Sequence, residues 1–195
     1  MKFITLGPTG SNHEFVTGRY LDFHDLRERA TIALAPDFER CTEAVLQGSA
    51  DFMIQCAVHP AAMSTVAKYF EGLYVIDTFI SASQDLAIIH RNDAEQPQSL
   101  AVMLPTLHYV DHSQWERIEL VDTVAEVTRG LVEGKYSAGL GYASIVRTHP
   151  EVLHIAQFVG SVDDAWIVYG LARVSAGRMS AWRDSPAGLL YGQTI

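Results

Sequence analysis

The sequence contains one pattern twice: a helical stretch, a glycine that ends it, a short loop and an apolar strand. The first copy is EAVLQGSADFMI (residues 43–54) and the second is RGLVEGKYSAGL (residues 129–140). In each copy a glycine, Gly48 or Gly134, follows the helical stretch, and glycine is the residue that most readily ends a helix. A helix followed by a buried strand is the unit of α/β proteins with parallel sheets. The pattern therefore predicts two α/β units.

The helical half of each copy has one apolar face. Its apolar residues are spaced i, i+3, i+7, which places them on the same side of a helix. In the second copy Thr123 and Glu126 form a capping box that marks the helix start. The two apolar faces consist of Phe38, Cys41 and Val45, and of Val124, Val127 and Leu131.

Three further apolar runs predict strands, at residues 86–90, 100–104 and 165–172. The simplest arrangement is two small lobes in which the last strand returns to the first lobe. Ligands in such folds bind at the carboxyl ends of strands, in the crevice between lobes.

We therefore expect residues 1–80 and 160–195 in the first lobe, and residues 81–159 in the second. Residues 177–195 show no periodicity, and a loosely packed tail is expected there.

The stretch LGPTGSNHEF, Leu6 to Phe15, joins the first strand to a helix. Ser11 and Glu14 form a capping box, which predicts a helix from Ser11 to about Phe23. Its free N–H groups would point out of the turn, so Gly10, Ser11 and Asn12 are candidates for holding an anion. His13, with an ordinary pKa near 6.5, could supply charge or a proton there. The alternative is an ordinary strand-turn-helix with a solvent-facing cap.

The composition excludes several partners. The chain of 195 residues is 48% hydrophobic and has a formal net charge of −9, with no cluster of Lys or Arg, which argues against nucleic acid and anionic membranes. No apolar run is long enough for a membrane span or resembles a signal peptide, so a cytoplasmic protein is expected. Cys41 and Cys56 are expected as free thiols. His108 and His112 lack a third ligand at useful spacing, so no metal is predicted.

Four motifs in order, LGPTGSNHE, FERCTEAVLQGSADFMI, LVDTVAEVTRGLVEGKYSAGLGY and VDDAWIVYG, resemble the catalytic domain of prephenate dehydratases. The resemblance covers roughly residues 3 to 171. It implies an α/β fold with two lobes like the type 2 periplasmic binding proteins, and a cytoplasmic homodimer. It also implies an anionic cyclic substrate between the lobes and no cofactor. A regulatory ACT domain has no room here, so phenylalanine feedback is not expected.

The chain departs from the family at its polar site elements. Asp164, Ala165 and Trp166 stand where dehydratases have Thr-Arg-Phe, so the catalytic threonine and arginine are missing. Residues 56–60 replace Pro-Ile-Glu-Asn-Ser, and residues 103–105 replace Ser-His-Pro. The caps and turns of the scaffold are retained.

One branch of the family is more similar. The prephenate decarboxylases of bacilysin-type antibiotic pathways also lack Thr-Arg and have a tryptophan at the position of Trp166. This resemblance implies a lyase that decarboxylates prephenate, or a related ring acid, without aromatisation. One alternative is a dehydratase-like enzyme of tropolone or tropodithietic-acid-type biosynthesis, acting on a seven-membered-ring carboxylate or thioester. Another is a cytoplasmic binding protein without catalysis.

The candidate site residues follow from strand ends and from the aligned motifs. His59 and Gln55 are chosen because strand ends face the crevice, and Trp166 because the family has a substrate-facing aromatic there, although it could be core. Asp164 could instead cap a turn. The candidate catalytic residues are His13, His59 and Asp164; the candidate substrate-binding residues are Gly10, Ser11, Asn12, Gln55, Cys56, Thr106 and Trp166.

Overall fold

The computed structural model describes residues 1–182, 184–186 and 189, and it contains two five-stranded sheets with helices packed against them. The first sheet has the strand order β2-β1-β3-β10-β4. Its first three strands in this order are parallel, and β10 is antiparallel to both β3 and β4. The elements of this lobe are β1 (Lys2–Leu6), α1 (Asn12–Phe23), β2 (Thr31–Ala35), α2 (Phe38–Leu46), β3 (Phe52–Cys56), α3 (Ala61–Tyr69), β4 (Tyr74–Ala82) and β10 (Asp163–Gly170).

The second sheet has the order β7-β6-β8-β5-β9. Strands β7, β6 and β8 are parallel, whereas β5 is antiparallel to β8 and β9. The elements of this lobe are β5 (Leu86–Arg91), β6 (Ser99–Met103), a 3₁₀ helix (Leu104–Tyr109), β7 (Arg117–Val121), α4 (Val124–Val132), β8 (Ala138–Tyr142), α5 (Ser144–Thr148) and β9 (Leu153–Gly160).

The repeated pattern occupies equivalent places in the two lobes. Helices α2 and α4 each lead into a parallel strand, β3 or β8, and their apolar faces are buried against the sheets. Gly48 and Gly134 follow the helix ends with φ of +72° and +77°, a left-handed conformation that favours glycine. Thr123 Oγ1 accepts from the N–H of Glu126 at 3.0 Å, which confirms the predicted cap.

Each sheet carries a core on both of its faces. In the first lobe Met53 and Tyr169 pack towards α2, while Ile54 and Trp166 pack towards α1. In the second lobe the core on one face of the sheet includes Leu140, and the core on the other face includes Ala87. Because side chains of a strand alternate between faces, both sides of each sheet are covered.

The last strand begins earlier than predicted, at Asp163, and ends at Gly170. Its pairing with β4 starts at Asp163 opposite Ala82, so Asp163 and Asp164 are strand residues and do not cap a turn. Leu104 leaves the strand predicted at 100–104 and begins the 3₁₀ helix, since Pro105 fits the first turn of a helix.

The domain boundaries at residues 80 and 160 stay a prediction. Of the predicted tail, residues 183, 187–188 and 190–195 lie outside the described residues. Among the residues that the structure describes, no helix is long and apolar enough to cross a membrane.

Candidate functional site

His13 lies at the centre of a group of aromatic rings in the first lobe, which we term the imidazole cluster. It comprises His13 in the first turn of α1, Phe38 at the start of α2, His59 after β3, and Trp166 in β10. The ring centroids of Phe38, His59 and Trp166 lie 5.3, 5.8 and 5.1 Å from that of His13. The two imidazoles therefore meet at the carboxyl end of β3, where sequence reasoning places a ligand.

Burial keeps His13 neutral. The N–H of Cys56 donates to His13 Nε2 at 3.4 Å, so the proton of the ring resides on Nδ1. Burial, and then the charge of His59, lower the pKa of His13 to about 3. Charging His13 would require desolvating an imidazolium beside a second imidazole, which favours a neutral ring here. The catalytic role expected of His13 stays a prediction.

His59 is the more accessible imidazole of the pair. It is half-buried, and its Nδ1 accepts from the N–H of Ala61 at 3.1 Å, which leaves the proton on Nε2. Burial also lowers the pKa of His59. The cluster thus holds two neutral rings with one N–H each, His13 Nδ1–H and His59 Nε2–H, beside Phe38 and Trp166.

Two candidate residues on β3 lie deeper than expected. Gln55 is 0% exposed; its Nε2 donates to Thr65 Oγ1 at 3.3 Å, and its Oε1 has no partner among the described residues. Cys56 is also buried, and burial raises the pKa of its thiol. As successive residues of β3 the two side chains point to opposite faces of the sheet, and only Cys56, whose N–H contacts His13, adjoins the imidazole cluster. Their substrate-binding roles stay predictions.

Trp166 is a core residue. It is 0% exposed, and its indole N–H donates to the carbonyl of Ser81 at 3.4 Å. Its ring meets that of His13 edge-on, with 5.1 Å between the centroids. The substrate-facing role expected of Trp166 stays a prediction.

The turn before α1 uses its polar groups internally. Ser11 Oγ accepts from the N–H of Glu14 at 3.2 Å and donates to the carbonyl of Leu6 at 3.0 Å. The carboxylate of Glu14 accepts from the N–H of Gly10 at 2.6 Å. The predicted capping residue is therefore confirmed, whereas the anion-holding role expected of Ser11 and Gly10 is not what the structure shows: intramolecular acceptors occupy these groups.

Asn12 joins the lobes through a set of hydrogen bonds that we term the junction network. Its Nδ2 donates to Ser83 Oγ at 2.8 Å, and its Oδ1 accepts from the N–H of Gln84 at 2.9 Å. Ser83 Oγ in turn donates to Asp164 Oδ2 at 2.6 Å. The backbone N–H of Asn12 donates to the Tyr142 hydroxyl at 3.1 Å. Asn12 and Asp164, chosen as site residues, therefore meet at the connection between the lobes.

Thr106 belongs to neither the imidazole cluster nor the junction network. It is buried in the 3₁₀ helix, where its hydroxyl donates to the carbonyl of Met103 at 2.9 Å. This bond to the carbonyl three residues earlier occupies the donor of its hydroxyl, and the substrate-binding role expected of Thr106 stays a prediction.

Sequence reasoning missed Tyr142 and Ser83. Tyr142 ends β8, the strand of the second repeat, so the rule that selected Gln55 and His59 in the first repeat would have selected it too. Burial raises the pKa of Tyr142 to about 12, which keeps its hydroxyl protonated. Ser83 follows β4 with no motif around it, so no local signal identifies it.

No protein-family model and no curated protein matches the sequence. Solved structures do match. A prephenate dehydratase from Arthrobacter aurescens, in complex with L-Phe, has a TM-score of 0.70 at 16% identity, over 97% of this chain and 70% of that one. The prephenate dehydratase of Staphylococcus aureus has a TM-score of 0.63 at 11% identity, over 89% and 67%. The periplasmic VFT2 domain of Bordetella pertussis BvgS has a TM-score of 0.53 at 15% identity, over 87% and 80%.

These likenesses confirm the two-lobed α/β fold of the type 2 periplasmic binding proteins. At such identities they establish the fold alone.

Proposed function

We propose that the chain is a lyase acting on a cyclic carboxylic acid, and that its reaction is the non-aromatising decarboxylation of prephenate or a related ring acid. The observation that carries the proposal is the pair of neutral imidazoles, His13 and His59, at the carboxyl end of β3. The fold shared with prephenate dehydratases supports a ring acid as ligand.

The imidazole cluster suits loss of carbon dioxide. A carboxylate moved from water to an environment of aromatic rings loses its hydration, which favours spreading its charge into the ring as the C–C bond breaks. The electron pair of that bond enters the ring diene, carbon dioxide leaves, and one proton replaces it on carbon. Water supplies this proton, and we assign His59 Nε2–H to hold that water by donating a hydrogen bond to its oxygen; the hydroxide that remains combines with the released carbon dioxide as bicarbonate.

The same cluster is poorly suited to dehydration. Expelling a ring hydroxyl needs a group that assists the departing oxygen, and Asp164 and Ala165 stand where the resemblance has a threonine and an arginine. We therefore infer that the substrate keeps its hydroxyl.

Product analysis tests the proposal. Decarboxylation and dehydration of prephenate both release carbon dioxide, so proton NMR must show whether the product is aromatic. We expect a non-aromatic keto acid that retains the hydroxyl, and a loss of about 100-fold in turnover for His59→Gln but not for His149→Gln, an imidazole of the second lobe outside the cluster. Phenylpyruvate formed at an efficient rate by the parent protein would refute the proposal.

Ligand binding without catalysis is the second candidate. The junction network favours it, because direct hydrogen bonds between lobes are contacts that a ligand can strengthen or replace. Tight binding of prephenate without turnover would select this candidate. A seven-membered-ring carboxylate and its thioester are assayed in the same way as prephenate. Turnover of these compounds without turnover of prephenate would select the tropolone-type alternative.

A further inference from the structure

A cavity of about 390 Å³ lies where the lobes meet, beside the junction network. Its volume falls in the range of small-molecule sites. None of its lining residues belongs to the imidazole cluster, so it is a separate site, which we term the junction cavity. It is lined by Phe15 of α1, Gln84 and Asp85 of the linker between β4 and β5, and Ala143, Ser144 and Arg147 after β8.

Arg147 brings an unpaired positive charge to the junction cavity. Its side chain forms no ion pair or hydrogen bond with any residue that the structure describes, and it is exposed. An arginine keeps its charge at all physiological pH values and offers a planar fork that fits a carboxylate. Seven other basic side chains of the described residues are paired with carboxylates: Arg27, Arg40, Lys68, Arg91, Arg117, Arg129 and Lys135.

Asp85 brings an unpaired negative charge to the same cavity. Its backbone carbonyl accepts from the N–H of Ala143 at 2.9 Å, but its carboxylate pairs with no cation in the described part of the chain. Arg147 and Asp85 do not pair with each other. A ligand that carries only a carboxylate would be attracted by Arg147 and repelled by Asp85, and one that carries only an ammonium would meet the reverse.

The remaining wall combines apolar groups with the Gln84 amide, whose Nε2 donates to the carbonyl of Gly10 at 3.2 Å, and one free hydroxyl. Phe15 is 40% exposed, and the Arg19 guanidinium lies 5.9 Å from its ring centroid. Ser144 Oγ has no hydrogen-bond partner among the described residues. Since Phe15, Asp85 and Arg147 come from the first lobe, the linker and the second lobe, a ligand here would contact all three.

We propose that the junction cavity binds a small zwitterion, an α-amino acid with an apolar side chain. Its carboxylate pairs with Arg147, its ammonium with Asp85, and its side chain contacts Phe15. Only a molecule with both charges satisfies both unpaired groups at once.

Calorimetry of the full chain with three matched probes tests the proposal. L-leucine carries both charges, 4-methylpentanoate lacks the ammonium, and 3-methylbutylamine lacks the carboxylate. We expect leucine to bind about tenfold or more tightly than either analogue, since each analogue loses one charge-assisted contact. Absence of leucine binding, or equal affinity for 4-methylpentanoate, would overturn the proposal.

Variants of Arg147 and Asp85 test which charged group of the ligand each side chain binds. Arg147→Gln should weaken leucine binding about tenfold or more, while Arg117→Gln on the far edge strand β7 should leave it unchanged. Asp85→Asn should weaken leucine binding and strengthen binding of 4-methylpentanoate, because the repulsion is removed. All three sites are exposed, so circular dichroism should show folded proteins. Unchanged leucine binding by Arg147→Gln would refute the assignment.

Discussion

The hydroxyl of Tyr142, at the carboxyl end of β8 in the second lobe, accepts a hydrogen bond from the backbone N–H of Asn12, at the start of α1 in the first. The helix N-terminus thus has an acceptor from the opposite lobe at the place where an anion was expected. A ligand entering between the lobes would have to compete with this hydroxyl or bind beside it.

Replacing Tyr142 by Phe should destabilise the protein. The N–H of Asn12 would lose its acceptor while remaining partly buried, which typically costs about 1–2 kcal/mol. Urea unfolding should show this decrease in the free energy of unfolding, and Tyr109→Phe, at an exposed tyrosine outside the junction network, should show none. An unchanged free energy for Tyr142→Phe would mean that the bond contributes nothing in solution.

Ser11→Ala should cost more stability than the matched change Thr123→Ala. Both residues cap a helix through a side-chain oxygen, which is worth about 1 kcal/mol, but Ser11 also donates to the carbonyl of Leu6. We expect a decrease of about 2 kcal/mol for Ser11→Ala and about 1 kcal/mol for Thr123→Ala in urea unfolding. Equal losses would show that the second bond of Ser11 is energetically neutral.

The neutrality of His13 predicts how stability depends on pH. Its pKa is about 3 when folded and near 6.5 when unfolded, so between these values the unfolded chain binds the extra proton. His13 therefore contributes full stability above pH 6.5 and loses it as the pH falls towards 3, by up to about 1.4 kcal/mol per pH unit.

The measurement is urea unfolding between pH 7.5 and 4.5, in which His13→Gln should show a shallower slope than the parent. In NMR spectra the His13 ring signals should stay constant over this range in the folded protein and titrate in urea. A folded-state midpoint near pH 6.5 would contradict the burial described above.

The thiol of Cys56 should resist alkylation in the folded protein. Burial raises its pKa, so little thiolate is present at neutral pH. Iodoacetamide modification, followed by mass spectrometry in the Cys41→Ala variant, should be slow in buffer and fast in urea. The Cys56→Ala variant gives the alkylation rate of Cys41, a fully buried core thiol, for comparison. Rapid modification of Cys56 alone would show that the carboxyl end of β3 opens in solution.

Local signals predicted the scaffold well. The caps at Ser11 and Thr123 and the glycines after α2 and α4 depend on neighbours within a few residues, which the sequence displays directly. The contacts of Asn12 with Ser83 and Tyr142 join residues far apart in the chain, and no local rule selects such partners. The burial of His13 arises in the same way, since Phe38 and Trp166 reach it only through the fold.

The position of β10 between β3 and β4 has a consequence for synthesis of the chain. All strands of the second sheet lie between residues 86 and 160, so they leave the ribosome before residues 163–170 do. Until then β4 lacks β10, its neighbour in the described sheet, and the edge of β3 that pairs with β10 is open. We expect the N-terminal lobe to complete its sheet last, and a nascent chain paused shortly before residue 163 to expose two strand edges to chaperones or to aggregation.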